Sequence, residues 1–120
     1  MKIHHRVKSI DTYKGARIAI NENLTYSSYM LIKESLRATL AYIAEDMFDW
    51  ELSNKTNLTY LIGLFNDTDV LSIDDADALE KLLIAEKNGI TAIIAMDIDD
   101  IKAVKKVVKR LIADYIKEPI

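Results

Sequence analysis

The chain has 120 residues, half of them apolar and 29% charged, with three Gly, one Pro, no Cys and a formal net charge of −3. That length is one domain's worth, and the apolar half is enough for a core, so composition excludes disorder. The lack of Cys excludes disulfides, thiolate metal sites and cysteine nucleophiles, and no apolar run exceeds five residues, so no segment is expected to span a membrane.

Hairpins and phosphate-cradling loops consume Gly and Pro, so their scarcity favours helices before any pattern is read. The charge is unevenly laid out. Residues 1–20 carry a net +4, residues 21–60 carry −3, residues 61–100 carry −8 and residues 101–120 carry +4. Basic ends around an acidic middle point to internal or intersubunit pairing at least as strongly as to a nucleic acid.

Residues 1–8 have a charged start with no apolar stretch behind it. They are not a secretory signal and are read as an extended or frayed segment. The lack of Cys fits a reducing compartment, and the cytoplasm is the expected location. The two histidines, His4 and His5, both fall here. Adjacent residues of an extended segment point to opposite faces, so they are poor joint metal ligands and are read as solvated.

The first helix is expected over about Ser9 to Asn21, with Tyr13, Ala16, Ala19 and Ile20 along one stripe. Asn21, Glu22 and Asn23 are weak helix formers, so the chain breaks or kinks there. The clearest helix is Thr25 to Phe48, where Ile32, Leu36, Leu40, Ile43 and Met47 recur every three or four residues. Ser53 to Asn57 reads as a loop ending in a cap. A short helix from Asn57 to Phe65 follows, then a turn at Asn66 to Asp69.

Ser72 with Asp75 resembles a capping box ahead of a helix ending near Lys87, where Asn88-Gly89 supplies a stop. Ile90 to Met96 suits a buried strand or a short helix. Helix is the reading adopted, because no second strand exists to pair with it. The last helix begins at Asp97 or Ile98 and runs to Lys117, acidic at its start and basic further on, as the helix dipole favours. The expected architecture is all-α: a single antiparallel up-and-down bundle over residues 1–120, with two long helices and several short ones.

Few residues offer chemistry. Asp67, Asp69, Asp74, Asp75 and Asp77 crowd together, but a calcium loop started at Asp67 fails at three required positions, with Leu71 fifth, Ser72 for the turn glycine and Ala78 for the bidentate Glu. Caps and first-turn acids account for the same residues. Glu34 and Glu45 lie eleven apart on one helix, yet the Glu-x-x-His partner of di-metal bundles is missing. No Gly-x-Ser-x-Gly elbow and no Gly-rich phosphate loop occurs. Neither catalytic nor metal-binding residues are therefore assigned, no cofactor is expected, and the chain is read as a non-enzyme.

The best surface feature is basic. Lys102, Lys105, Lys106, Lys109 and Arg110 occupy one face of the last helix, opposite its apolar stripe, and suit an acidic partner. No aromatic residue interleaves with them, which weakens a single-strand-binding reading. Among six tyrosines, Tyr29, Tyr42 and Tyr115 are candidate interface or pocket aromatics, with the rim of the core as the plainer reading.

A Tyr-rich first helix (Tyr13 to Arg17), a long helix containing Tyr29 to Arg37, a short Asn57-Leu58-x-x-Leu61-Ile62 helix and a closing basic helix together resemble the HEPN-like helical bundles. The likeness covers about residues 12–116. It implies an up-and-down bundle, commonly dimeric, whose active members are ribonucleases with an Arg, four to six residues, then a His on the final helix. Here Arg110 is followed five positions later by Tyr115, and no His lies after His5. No catalytic residue carries over. The expected function is a non-catalytic interaction module, homodimeric through its wide apolar stripes. The alternative is a HEPN-type module linked to nucleic acid or nucleotide through the basic face.

Overall fold

Scarce Gly and Pro leave helix as the default, and the computed structural model, which describes residues 2–53 and 55–120, is all-α with no strand among those residues. Asn54, within the loop read at Ser53 to Asn57, lies outside the described residues, as does Met1. The helices are α1 (Lys2–Asn21), α2 (Thr25–Phe48), α3 (Leu58–Leu64), α4 (Ile73–Asn88), α5 (Ile90–Ile94) and α6 (Ile98–Leu111). A π-helical turn, Ile112–Ile116, continues α6. The radius of gyration is 13.2 Å, against about 13.6 Å for a compact domain of this length. No helix is long and apolar enough to cross a membrane among the described residues.

The first helix corrects the sequence reading. It starts at Lys2 rather than Ser9, so residues 2–8 are neither extended nor frayed. Tertiary partners, not an apolar stripe, hold this turn. Lys2 pairs with Asp46, Arg6 with Glu118, and Lys8 with Glu34 at 2.9 Å. His5, expected to be solvated, is fully buried. Its Nε2 lies 3.0 Å from the Leu52 carbonyl and 3.2 Å from Glu45 Oε1, and that same carboxylate oxygen accepts the Leu52 N–H at 2.7 Å. His5 and Glu45 thus clamp both backbone groups of Leu52 and fasten the chain leaving α2. His4 is exposed, as expected.

The chain breaks between α1 and α2. Asn23 takes the left-handed conformation, φ 59°. Its N–H donates to the Ile20 carbonyl at 3.0 Å, and the Leu24 N–H reaches back to Ala19 at 2.9 Å. These are the two bonds of a Schellman stop, with Asn in glycine's usual place. The tight reversal lays α2 antiparallel along α1. A polar knot lies in their buried seam: Ser9 Oγ donates to Thr39 Oγ1 at 2.5 Å, Thr39 Oγ1 donates to the Ser35 carbonyl at 2.6 Å, and Ser35 Oγ donates to the Ser9 carbonyl at 2.8 Å.

The remaining helices start where local chemistry directs. Asn57 caps α3, its Oδ1 accepting from the Tyr60 N–H at 3.2 Å. Ser72 and Asp75 form a reciprocal capping box on α4, and Asp97 with Asp100 does the same for α6. Gly89, with φ 85° and ψ −166°, ends α4 and starts α5. That backbone region is essentially Gly-only. Ile90–Ile94 is helix, which resolves the ambiguous segment. Tyr29, Ile32, Leu36 and Leu40 of α2, Leu61 of α3, Leu79 and Leu82 of α4, and Ile101, Val104, Val108 and Leu111 of α6 are fully buried in one shared core. α6 packs against α1, α2 and α4, so its outer face looks away from the bundle on the α1 side.

Candidate anion-binding face

α6 combines an acidic first turn, a wholly apolar inner stripe and a run of bases. Burying Ile101, Val104, Val108 and Leu111 forces the residues half a turn away outward. Lys102, Lys105, Lys106 and Lys109 therefore emerge together, spread over about 10 Å of helix axis. With Ile20 and Asn21 at the end of α1 they line a groove of about 290 Å³. The four expected lysines are thus brought to one concavity. Three are exposed, and Lys105 is half-buried.

Arg17 of α1, which the sequence reading missed, lies near enough for its charge to act on Lys105. Burial, together with the charges of Lys109, Arg17 and Lys102, holds the Lys105 ammonium below its ordinary pKa. Among the described residues no carboxylate lies within 4 Å of Arg17, Lys105, Lys106 or Lys109, and Lys102 has only exposed Asp99 at 3.9 Å. The C-terminal end of α1 contributes about half a negative charge at most, and its Ala19 and Ile20 carbonyls are already bonded within the Schellman stop. Half a charge does not balance four lysines and an arginine. The groove is a site of net positive field, with Asp99 beside Lys102 as its one carboxylate within 4 Å among the described residues.

Arg110, expected on this face, is a correction. It turns toward α4, donates to the Val70 carbonyl at 3.1 Å and pairs with Asp75 of the α4 capping box. Asp114 stands 3.8 Å away on its other side. A carboxylate 12% exposed is a stronger competitor for a guanidinium than open solvent. Nothing in residues 101–120 announces that competitor, because Asp75 is thirty-five positions upstream.

The candidate aromatics separate. Tyr29 is wholly buried and is no surface feature. Burial, then the Glu86 charge and Tyr26, push its phenol up to about 12. Tyr42 and Tyr115 are half-buried at the core's rim, the plainer of their two readings, and Lys2 Nζ sits 5.3 Å from the Tyr42 ring centroid. The exposed aromatics are Tyr26, Trp50 and Tyr60, none of them singled out by the sequence pattern.

Elsewhere the polar groups are engaged. Glu34 is gripped by Arg37 at 2.5 Å and Lys8 at 2.9 Å, while Glu45 serves His5 and Leu52, so the two carboxylates do not face one another as a pair. Among the described residues no three His, Asp or Glu side chains converge. A larger groove, about 580 Å³, runs between the start of α3 and α4, but Glu80, Glu86 and Lys87 give its lining mixed charge. Comparison with protein-family models, curated proteins and solved structures finds no match for this chain.

Proposed function

We propose that this chain is a non-catalytic helical interaction module and that its working surface is the cationic groove between α6 and the end of α1. The partner is the phosphate backbone of a nucleic acid. One observation carries the reading: Lys102, Lys105, Lys106 and Lys109 line a concavity, the Arg17 charge acts on Lys105, and among the described residues the one carboxylate within 4 Å of these cations is exposed Asp99 beside Lys102. A protein partner is less suited, because protein interfaces centre on apolar contact and this groove offers Ile20 alone. No aromatic lines it, so bases have nothing to stack on and the contact is to phosphate. The order of helices, two long ones, then shorter ones, then a basic last helix, is what supports keeping the HEPN-like resemblance as part of this proposal.

Fluorescence anisotropy with a labelled RNA duplex tests it. Binding should appear at low ionic strength and weaken with salt at a slope of roughly 0.9 per phosphate contacted. Replacing Lys102, Lys105, Lys106 and Lys109 with Gln should abolish it. Absence of binding at low salt, or a quadruple variant that binds normally, would overturn the proposal.

A second surface supports self-association. Ile84, Ile90 and Ile94 stand 48%, 61% and 67% exposed at the junction of α4 and α5. A homodimer covering these isoleucines would leave the groove open, since Lys102 to Lys109 face the α1 side of α6. Light scattering should report a dimer at micromolar concentration that Ile94→Asp converts to monomer. A wild-type monomer would end this reading.

A further inference from the structure

We propose that Lys105 is an acylation site: the groove holds the phosphate of a small acyl phosphate against Lys102 and Lys109, and the Lys105 amine takes the acyl group. Three features of one place lead there. Lys102, Lys105, Lys106 and Lys109 line a concavity of about 290 Å³ with Ile20 and Asn21, enough for a small phosphorylated molecule, and the Arg17 charge acts on Lys105 from beside it. Lys105 is the half-buried member, with Lys102, Lys106 and Lys109 exposed around it. It has no carboxylate neighbour within 4 Å to hold its proton in place, unlike Lys8 with Glu34 or Lys81 with Asp100. Burial and the flanking cations favour its neutral amine, as in other lysine nucleophiles made reactive by desolvation and a neighbouring cation.

The step balances. Neutral Nζ attacks the acyl carbon, the C–O bond to phosphorus breaks, and inorganic phosphate departs as the hydrogen phosphate dianion with the proton lost from nitrogen. An amide replaces the amine. The neighbouring ammonium groups stabilise both the departing phosphate and the oxyanion of the tetrahedral intermediate. No oxidant, reductant or further reactant is needed. The product lacks one positive charge in the groove, so acylation lowers the groove's affinity for any polyanion.

The test is per-lysine acetylation of the intact folded chain by acetyl phosphate at neutral pH, read by peptide mass spectrometry. Lys105 should react roughly tenfold faster than exposed Lys87 and Lys117, reflecting capture of the reagent beside the amine. The double variant Lys102→Gln/Lys109→Gln should erase most of that advantage, and so should excess inorganic phosphate acting on the unaltered protein. An uncharged acetylating ester should show a smaller preference for Lys105 than acetyl phosphate does. Equal rates at Lys105 and the exposed lysines would overturn the assignment. So would a preference indifferent to added phosphate, which remains decisive if the double variant does not fold. None of these measurements involves nucleic acid, so the inference stands or falls apart from the proposed partner.

Discussion

Arg110 is the sharpest place to separate a structural cation from a binding one. Arg110→Met keeps most of the side chain's apolar packing and removes its donors to Val70 and Asp75. Hydrogen bonds to a charged partner contribute about 1.5–3 kcal/mol. The Arg110 side chain is 38% exposed, so solvent screens the pair, and a loss near the lower end, about 1.5 kcal/mol, is expected. For a domain of this size that corresponds to roughly 6 °C in Tm. Thermal unfolding by circular dichroism measures it, and a double-mutant cycle with Asp75→Asn isolates the coupling, about 1 kcal/mol. Duplex binding by Arg110→Met should stay within about twofold of the parent, whereas Lys106→Gln should lose clearly more while leaving Tm unchanged. An Arg110→Met variant with unaltered Tm and affinity as low as that of Lys106→Gln would return Arg110 to the binding face and refute the argument.

Other outcomes follow from the same structure. His5→Ala leaves Glu45 and the Leu52 carbonyl without their partner and should cost about 2–3 kcal/mol in urea unfolding; it should also alter Trp50 fluorescence, because Trp50 lies on the segment that the clamp fastens. Gly89→Ala places a side chain at φ 85°, ψ −166° and should destabilise by about 1–3 kcal/mol, although the space around that Cβ is open. Glu34 is pushed up by burial, but the hydrogen bonds from Arg37 and Lys8 outweigh this and hold its pKa below the ordinary value. Its contribution is therefore present above the unfolded-state pKa and is lost as pH falls through the folded one. Glu34→Gln should lower Tm at neutral pH and flatten the acid limb of the Tm profile. Lys105 has a linkage of the same sign, displaced to the alkaline range. Its depressed pKa means the unfolded chain binds more protons in the alkaline window, so stability should rise with pH there, and Lys105→Met should remove that rise.

Features governed by residues within about four positions of each other were legible in the sequence. The caps at Asn57, Ser72 and Asp97 and the stop at Gly89 fall where their chemistry put them, because a cap is a bond between near neighbours. The stripe of α2 from Ile32 to Ile43 and the lysine row of α6 likewise follow from a 3.6-residue period, but Met47, placed on that stripe by its spacing, is exposed because no helix among the described residues packs against that end of its face. Distant partners were not legible. The first two turns of α1 are helical because Asp46, Glu118, Glu34 and Leu52 bind their side chains, and those partners lie 26 to 112 residues away. Arg17 entered the site and Arg110 left it for the same reason: which helix lies beside α6 is a tertiary fact. The burial of Tyr29 also depends on neighbouring helices, since a tyrosine on an apolar stripe fits a core or a rim equally well.

The knot of Ser9, Ser35 and Thr39 has a reach beyond its own bonds. Apolar seams tolerate sliding, and two helices can exchange one packing for another by a ratchet of one turn, about 5.4 Å. Hydroxyls fully buried in the seam permit only one alignment, since any other leaves them unsatisfied. Arg17 rides on α1 two turns beyond Ser9, about 12 Å along the axis. A one-turn slip would carry it out of range of Lys105 and move Ile20 and Asn21 off the groove's edge. Three small hydroxyls thus act as a gauge that sets the dimensions of a site they never touch.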